Sequence, residues 1–150
     1  MSPASAHPAG ARPALADLQV GQQVAVRRVP LSRADLVHYA GASGDRNPIH
    51  WSDAAATAAG LPGVVAHGML TMGAAVGVVV DWCGDPGAVL ECGARFTGLV
   101  PVPATGAATL DVTATVAALD PAAGTARVDL AVRCDGAAVL GRARVLLRLP

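Results

Sequence analysis

The sequence predicts an α+β domain in which an antiparallel sheet packs on one long helix. The helix is predicted from about residue 67 to residue 83, where the chain is apolar on every side and Gly84-Asp85-Pro86-Gly87 follows as a stop signal. Beyond it the period changes to alternation, with one face formed by Leu110, Val112, Ala114 and Val116. A sheet with one apolar face needs cover, and the helix, expected to be buried on all sides, supplies it.

The other elements follow from local signals. Strands are predicted near residues 23–29, 89–99, 127–133 and 139–149. Ser32-Arg33-Ala34-Asp35 resembles a capping box with Asp in place of Glu, and it opens a helix to about Ala42. Ser52 or Asp53 caps a second short helix that ends near Ala59. We expect both helices to support the loop between them.

The length of 150 residues suits a single domain with a full core. Residues 1–14 are rich in Pro, Ala and Ser and lack the apolar segment of a signal peptide, so they predict a disordered tail. Residues 15–150 are predicted to form the domain.

Composition argues against several classes of partner and site. The formal net charge is zero and the basic residues are scattered, so neither nucleic acid nor a membrane surface is expected as a partner. The longest apolar stretch, residues 69–80, is shorter than the ~20 residues that cross a bilayer. Three cysteines without C-x-x-C spacing suggest neither disulfides nor a zinc site. They are interpreted as reduced core residues of a cytoplasmic protein.

The segment Gly44-Asp45-Arg46-Asn47-Pro48-Ile49-His50 places a carboxylate and an imidazole five residues apart on a turn. Pro48 fixes its own φ and biases Asn47 away from the helical region, so the loop should be stiff enough to aim both side chains at one point. An Asp/His pair can exchange protons with two atoms of a substrate. Ordinary turn chemistry is the alternative. A calcium loop is excluded, because His50 and Ala56 occupy the positions of its glycine and glutamate.

Two longer segments carry a family resemblance, and three shorter ones narrow it. The chain from Tyr39 to Trp51, YAGASGDRNPIHW, and from Ala66 to Gly73, AHGMLTMG, is similar to the MaoC-type hydratase/dehydratase family. Within that family, the likeness to the catalytic β-type subunit of actinobacterial (3R)-hydroxyacyl-ACP dehydratases of type II fatty-acid synthesis continues through GDPGAV (84–89), RFT (95–97) and VPVP (100–103). The resemblance covers nearly everything after about Leu15.

The resemblance implies a hot-dog fold, in which the sheet wraps around the central helix. It implies a hydro-lyase that dehydrates (3R)-hydroxyacyl thioesters to trans-2-enoyl thioesters, reversibly. His50 would be the base at the α-carbon in dehydration and Asp45 would serve the β-hydroxyl, with the roles reversed in hydration. Gly68 would supply a backbone N–H to an oxyanion hole at the start of the helix, where the helix dipole favours negative charge. Asn47 and Pro48 would support the loop.

Three central-helix residues, Gly73, Val76 and Gly77, are candidates for lining an acyl tunnel, although the glycines would equally allow strands to pack closely. The resemblance places Val76 where some relatives carry serine. His67 is interpreted as a hydrogen-bonded structural residue rather than a second base. No metal and no cofactor are expected, because the sequence lacks a metal cluster, a Gly-rich nucleotide loop after a strand, and a cofactor lysine.

The expected substrate is an acyl-ACP or an acyl-CoA, with the resemblance favouring the carrier protein. The same resemblance implies a heterodimer with a related hot-dog subunit, a homodimer being the alternative. Three other functions remain open: an (R)-specific enoyl-CoA hydratase of β-oxidation or polyester supply, a hot-dog acyl thioesterase, and a non-catalytic partner subunit. The presence of both Asp45 and His50 argues against the last two.

Overall fold

The structure, a computed structural model, describes residues 12–150. Most of the predicted tail, residues 1–11, lies outside the described residues. Residues 12–14 of the predicted tail are described. Pro13 is buried, and Arg12 forms an ion pair with Asp85, which follows the central helix.

Five antiparallel strands form one sheet in the described part of the chain, in the order β1-β3-β4-β5-β2. Their bounds are β1 Gln23–Ser32, β2 Val89–Phe96, β3 Ala107–Asp120, β4 Thr125–Cys134 and β5 Ala137–Arg148. Alternate residues of β3 and β4 are buried, so the predicted alternation is confirmed. β2 and β1 lie at the two edges of the sheet.

Among residues 12–150, three α-helices accompany the sheet: α1 Arg33–Ser43, α2 Asp53–Ala58 and α3 Gly68–Cys83. The capping box at Ser32 is confirmed, since Ser32 Oγ accepts from the Asp35 N–H and Asp35 Oδ2 accepts from the Ser32 N–H. Hydrogen bonds from the Ser32 hydroxyl and N–H lower the pKa of the Asp35 carboxyl. Gly44 ends α1 in the left-handed region, with φ 79°, and so starts the loop that carries Asp45.

The core lies between α3 and the inner face of the sheet. α3 contacts all five strands, and its buried residues include Ala75, Val78, Val79 and Cys83. The sheet contributes fully buried Leu110, Val116, Val128 and Leu147. This arrangement confirms the predicted packing of a sheet on a long central helix.

One expectation about α3 is wrong. The helix is not buried on all sides, because the sheet of this single chain covers only part of its surface. Met69 is 53% exposed and Gly73 is exposed, and an ideal Cβ at Gly73 or Gly77 would meet nothing within 4 Å. These glycines therefore do not bring strands close to the helix within this chain.

The predicted core location of the cysteines is correct for two residues of three. Cys83 and Cys134 are buried, and burial raises the pKa of both thiols. Cys92 is exposed, because it lies on the edge strand β2. Within residues 12–150, no helix combines the length and apolar character needed to cross a membrane.

The Arg33 side chain forms hydrogen bonds between the segments that precede and follow the Asp45 loop. Its Nε donates to the Val102 carbonyl at 2.7 Å, while its two terminal nitrogens donate to the Asp53 carboxylate at 2.8 and 3.2 Å. The side chain of Arg33 thereby links the start of α1 to the start of α2 and to the segment around Val102. The hydrogen bonds from Arg33 also keep the pKa of the Asp53 carboxyl below its usual value.

We predict that Arg33→Met lowers the free energy of unfolding by about 1.5–3 kcal/mol, the usual contribution of a hydrogen bond to a charged group, chiefly through loss of the part-buried bond to the Val102 carbonyl. Asp53→Asn keeps the bond to Val102 and should cost less. The contribution of Asp53 to the free energy of unfolding is fully present above the pKa that its carboxyl has in the unfolded chain. It is lost as the pH falls through the lower pKa of the folded chain. Urea denaturation of the two variants over a pH series measures both effects. An equal cost for the two variants would contradict this account.

Candidate active site

The Asp45 loop is a series of side-chain-capped turns. Asp45 Oδ1 accepts from the Asn47 N–H at 3.2 Å, and Asn47 Oδ1 accepts from the Ile49 N–H at 3.3 Å. Asn47 thereby caps a 3₁₀ turn, Pro48–His50, whose first residue is the proline. This geometry accords with the support role expected for Asn47 and Pro48, which stays a prediction.

His50 is held by a carbonyl from a distant segment. Its Nδ1 lies 2.7 Å from the Val65 carbonyl oxygen, and its side chain is only 10% exposed. A carbonyl can only accept, so Nδ1 carries the proton and donates it. In the neutral ring, Nε2 is then the nitrogen with a free lone pair, which is the requirement for a general base.

The structure brings Asp45 and His50 together. His50 Nε2 lies 3.9 Å from Asp45 Oδ2, which is too long for a direct hydrogen bond. The carboxylate is half-exposed whereas the imidazole is buried. Two proton-transferring groups at this separation can address two neighbouring atoms of one substrate.

Gly68 is the first residue of α3, where backbone N–H groups lack intrahelical acceptors. The first paired N–H in this turn belongs to Thr71, which donates to the His67 carbonyl at 3.0 Å. The Phe96 ring packs over Gly68, because an ideal Cβ at position 68 would lie 2.9 Å from Phe96 Cδ1. A side chain at position 68 would therefore have to displace the Phe96 ring.

A pocket of about 290 Å³ adjoins both His50 and Gly68. Its remaining wall is largely apolar and is formed by Ile49, Val65, Ala66, Thr71, Phe96, Gly98, Leu99, Val100, Val139 and Leu140. Asp45 is outside this wall. Gly73, Val76 and Gly77 do not line the pocket either, and Gly73 lies on the exposed part of α3.

His67 also belongs to this cluster. Its Nε2 lies 3.0 Å from the backbone carbonyl oxygen of Asp45, and its ring stacks on His50 with a centroid distance of 3.7 Å. The edge of the Tyr39 ring lies against it as well. The expectation of a hydrogen-bonded residue at the helix start agrees with this geometry.

Asp45, His50 and His67 are close enough to be tested as a metal site, since one ligand atom from each lies within 4.8 Å of the others. The ring planes of the histidines are only 24° from parallel. The lone pair of an imidazole nitrogen lies in the ring plane, so the lone pairs of two stacked rings lie in nearly parallel planes and do not converge on one ion. Each ring also uses one nitrogen on a backbone carbonyl. The arrangement therefore suits proton transfer better than metal coordination.

Sequence reasoning missed two contributors to the site, Val65 and Phe96. Val65 lies 15 residues from His50, which it orients. Phe96 lies on β2, far along the chain from the start of α3. The glycine at position 68 was the one signal of a close neighbour, but it did not identify the aromatic ring.

Comparison with known proteins places this geometry in a family. The model of the family described as MaoC like domain matches residues 17–132. This chain belongs to the MaoC like domain family. A solved MaoC-like dehydratase superposes with a TM-score of 0.89 and 40% identity over 93% of this chain. R-Hydratase PhaJ1 from Pseudomonas aeruginosa superposes with a TM-score of 0.79 and 28% identity, covering 91% of this chain and 85% of PhaJ1. The hot-dog fold of this MaoC-like chain is thus established.

Among curated proteins, this MaoC-like chain is similar to enoyl-CoA hydratase ChsH3 of Mycobacterium tuberculosis, with 36% identity over 85 residues. That alignment covers 55% of this chain and 27% of ChsH3. The chain likewise spans only 43% of the solved MaoC-like dehydratase. A chain in the ChsH1–ChsH2 complex from the same organism shares the fold, with a TM-score of 0.76 and 20% identity.

Proposed function

We propose that this chain interconverts (3R)-hydroxyacyl and trans-2-enoyl thioesters by removing or adding water, with Asp45 and His50 as the acid/base dyad. The observation that carries the proposal is the free Nε2 of His50, 3.9 Å from the Asp45 carboxylate, at the wall of a largely apolar pocket. The names of the relatives, a hydratase and a dehydratase, support the same chemistry.

In dehydration, Nε2 of His50 takes a proton from the α-carbon and negative charge develops on the thioester oxygen. The C–O bond at the β-carbon then breaks as the hydroxyl receives a proton held by the Asp45 carboxyl group and leaves as water. Return of a proton from His50 to Asp45 restores the dyad for the next turnover. Hydration runs these steps in reverse. Each positioned acid or base typically contributes about 10²–10⁴ in rate.

The N–H of Gly68 would stabilise the developing charge on the thioester oxygen. It belongs to the first turn of a 16-residue helix, so the helix dipole acts in the same direction. The acyl chain would occupy the adjoining pocket of about 290 Å³. Gly73, Val76 and Gly77 would line a tunnel only if a further chain covered their face of α3.

The acyl group could be carried by acyl carrier protein, which is the first proposal, or by coenzyme A, which is the second. The likeness of residues 84–89, 95–97 and 100–103 to the β-type dehydratase subunit favours acyl carrier protein and fatty-acid synthesis. The similarity to ChsH3, which is named an enoyl-CoA hydratase, favours coenzyme A. Assaying both thioesters with the same enzyme distinguishes them.

We also propose that the chain acts as a heterodimer with a related hot-dog subunit. Half-exposed apolar side chains support this, since Met69, Leu90, Phe96 and Leu99 are all 46–53% exposed around α3 and the edge strand β2. The relation in fold to a chain of the ChsH1–ChsH2 complex adds a precedent for pairing. Light scattering with and without a candidate partner tests this, and a stable, fully active homodimer would contradict it.

The decisive assay follows the absorbance of enoyl thioesters, from crotonyl to longer chains, on CoA and on acyl carrier protein, with product stereochemistry determined. A (3R)-hydroxyacyl product is expected. Release of free thiol instead would indicate a thioesterase. No turnover under any condition, with or without a partner, would indicate a non-catalytic subunit.

We predict that Gly68→Ala lowers kcat by about 10-fold to 100-fold, because displacing reacting groups by about 1 Å can cost 10²-fold. The new methyl group would meet the Phe96 ring at 2.9 Å. Steady-state kinetics of Gly68→Ala alone and with Phe96→Leu separates two causes. Recovery in the double variant indicates displacement of the ring, whereas no recovery indicates that the methyl group blocks the thioester. Unchanged kcat in Gly68→Ala would exclude close approach at this glycine.

A further inference from the structure

His67 contacts both residues of the proposed dyad. Its Nε2 lies 3.0 Å from the Asp45 carbonyl, its ring stacks on His50, and its backbone immediately precedes Gly68. Only 2% of its surface is exposed. Buried polar side chains usually stabilise the fold through their hydrogen bonds.

The two ring nitrogens of His67 have different surroundings. The Asp45 carbonyl can only accept, so His67 Nε2 carries a proton and donates it. In the neutral ring, Nδ1 is then an acceptor, and it is buried without a hydrogen-bond donor among the described residues. An unpaired buried acceptor destabilises a fold, so stability alone does not account for histidine at this position.

The side chain of His67 does not cap the helix that follows it. His67 is the N-cap of α3, a position where Ser, Thr, Asp or Asn normally accepts from the first-turn N–H groups. The His67 side chain makes no such bond. Its ring is directed instead to the Asp45 loop, and the N–H groups beside Gly68 are left without a side-chain cap.

We propose that His67 is a positioning residue for the Asp45/His50 dyad. It fixes the Asp45 loop through its Nε2–H and fixes the plane of the His50 ring by stacking. Because it precedes Gly68, it also holds both groups in register with the first turn of α3. This inference rests on the proposed function and extends it to a residue that need not contact substrate.

Two variants separate the features of His67. His67→Phe keeps an aromatic ring beside His50 and Tyr39 but loses the donor to Asp45, whereas His67→Gln keeps a donor of similar reach and loses the ring. We expect His67→Phe to lower kcat by about 10-fold to 100-fold with little change in KM, as for other losses of positioning. His67→Gln should retain more activity than His67→Phe.

A double-mutant cycle distinguishes positioning from general support of the fold. Introduced into Asp45→Asn, His67→Phe should change the residual rate by less than about 3-fold, because groups that act as a unit are not additive. An equal loss in both backgrounds would overturn the proposal. So would an unchanged kcat in His67→Phe.

Hydrogen exchange gives a readout that does not depend on turnover. In His67→Phe, amides of residues 44–51 should exchange faster while those in the middle of α3 keep their protection. Unchanged exchange in the loop would overturn the inference even if the enzyme were active. If the wild type shows no Asp45-dependent turnover, the proposed function fails and the loop exchange alone judges the role of His67.

Discussion

Asp45→Asn is expected to lower kcat by about 10²–10⁴-fold, because it removes a positioned acid/base group. The substitution is well matched to the loop. An asparagine oxygen can still accept from the Asn47 N–H, as Asp45 Oδ1 does at 3.2 Å, so the turn should persist. The change therefore removes proton transfer with little disturbance of the backbone.

The measurement is steady-state turnover of an enoyl thioester, with thermal unfolding recorded in parallel. Asp81→Asn provides the matched control, since Asp81 is an exposed carboxylate on α3. That control should keep wild-type kcat. If Asp45→Asn stayed within about threefold of the wild type, well below the usual contribution of an acid/base group, the proposed role of Asp45 would have to be abandoned.

His50→Asn is the second large prediction, with an expected loss in kcat of about 10²–10⁴-fold. The asparagine amide nitrogen can take the place of Nδ1 and donate to the Val65 carbonyl, which His50 reaches at 2.7 Å. No atom then occupies the place of Nε2. The general base is therefore lost while the hydrogen bond to the Val65 carbonyl remains.

The control is His38→Asn, which changes an exposed histidine on α1. The double variant Asp45→Asn/His50→Asn should be hardly slower than either single variant, because members of one catalytic unit are strongly non-additive. Fully multiplicative losses would indicate that the two residues act in separate steps. Retention of more than a tenth of wild-type kcat in His50→Asn would contradict its role as the base.

The parts of the fold that depend on local rules could be predicted. The capping box at Ser32, the glycine that ends α1 and the alternation along β3 each follow from residues within a few positions of one another. Such signals report which backbone geometry a short segment prefers. They agree here with the tertiary structure, which is why the helices and strands lie where they were expected.

The site was predictable only in part, because its geometry depends on contacts between distant segments. The Asp45/His50 pair could be predicted from the turn together with the family resemblance. The carbonyl of Val65 that sets the His50 tautomer, the contact of His67 with Asp45 across 22 residues, and the Phe96 ring over Gly68 all depend on how α3 sits in the sheet. The exposed face of α3 was missed for a related reason, since composition does not say how far a sheet extends around a helix.

The unequal exposure of Asp45 and His50 affects the routes by which the acyl chain and water reach the site. His50 is 10% exposed and lines the pocket, whereas Asp45 is 53% exposed and lies outside the pocket wall. In the proposed reaction, the hydrocarbon tail would occupy the pocket, whereas water would reach the reacting carbons from the exposed side of Asp45. An acyl chain held in this pocket would then leave the path of the water molecule open.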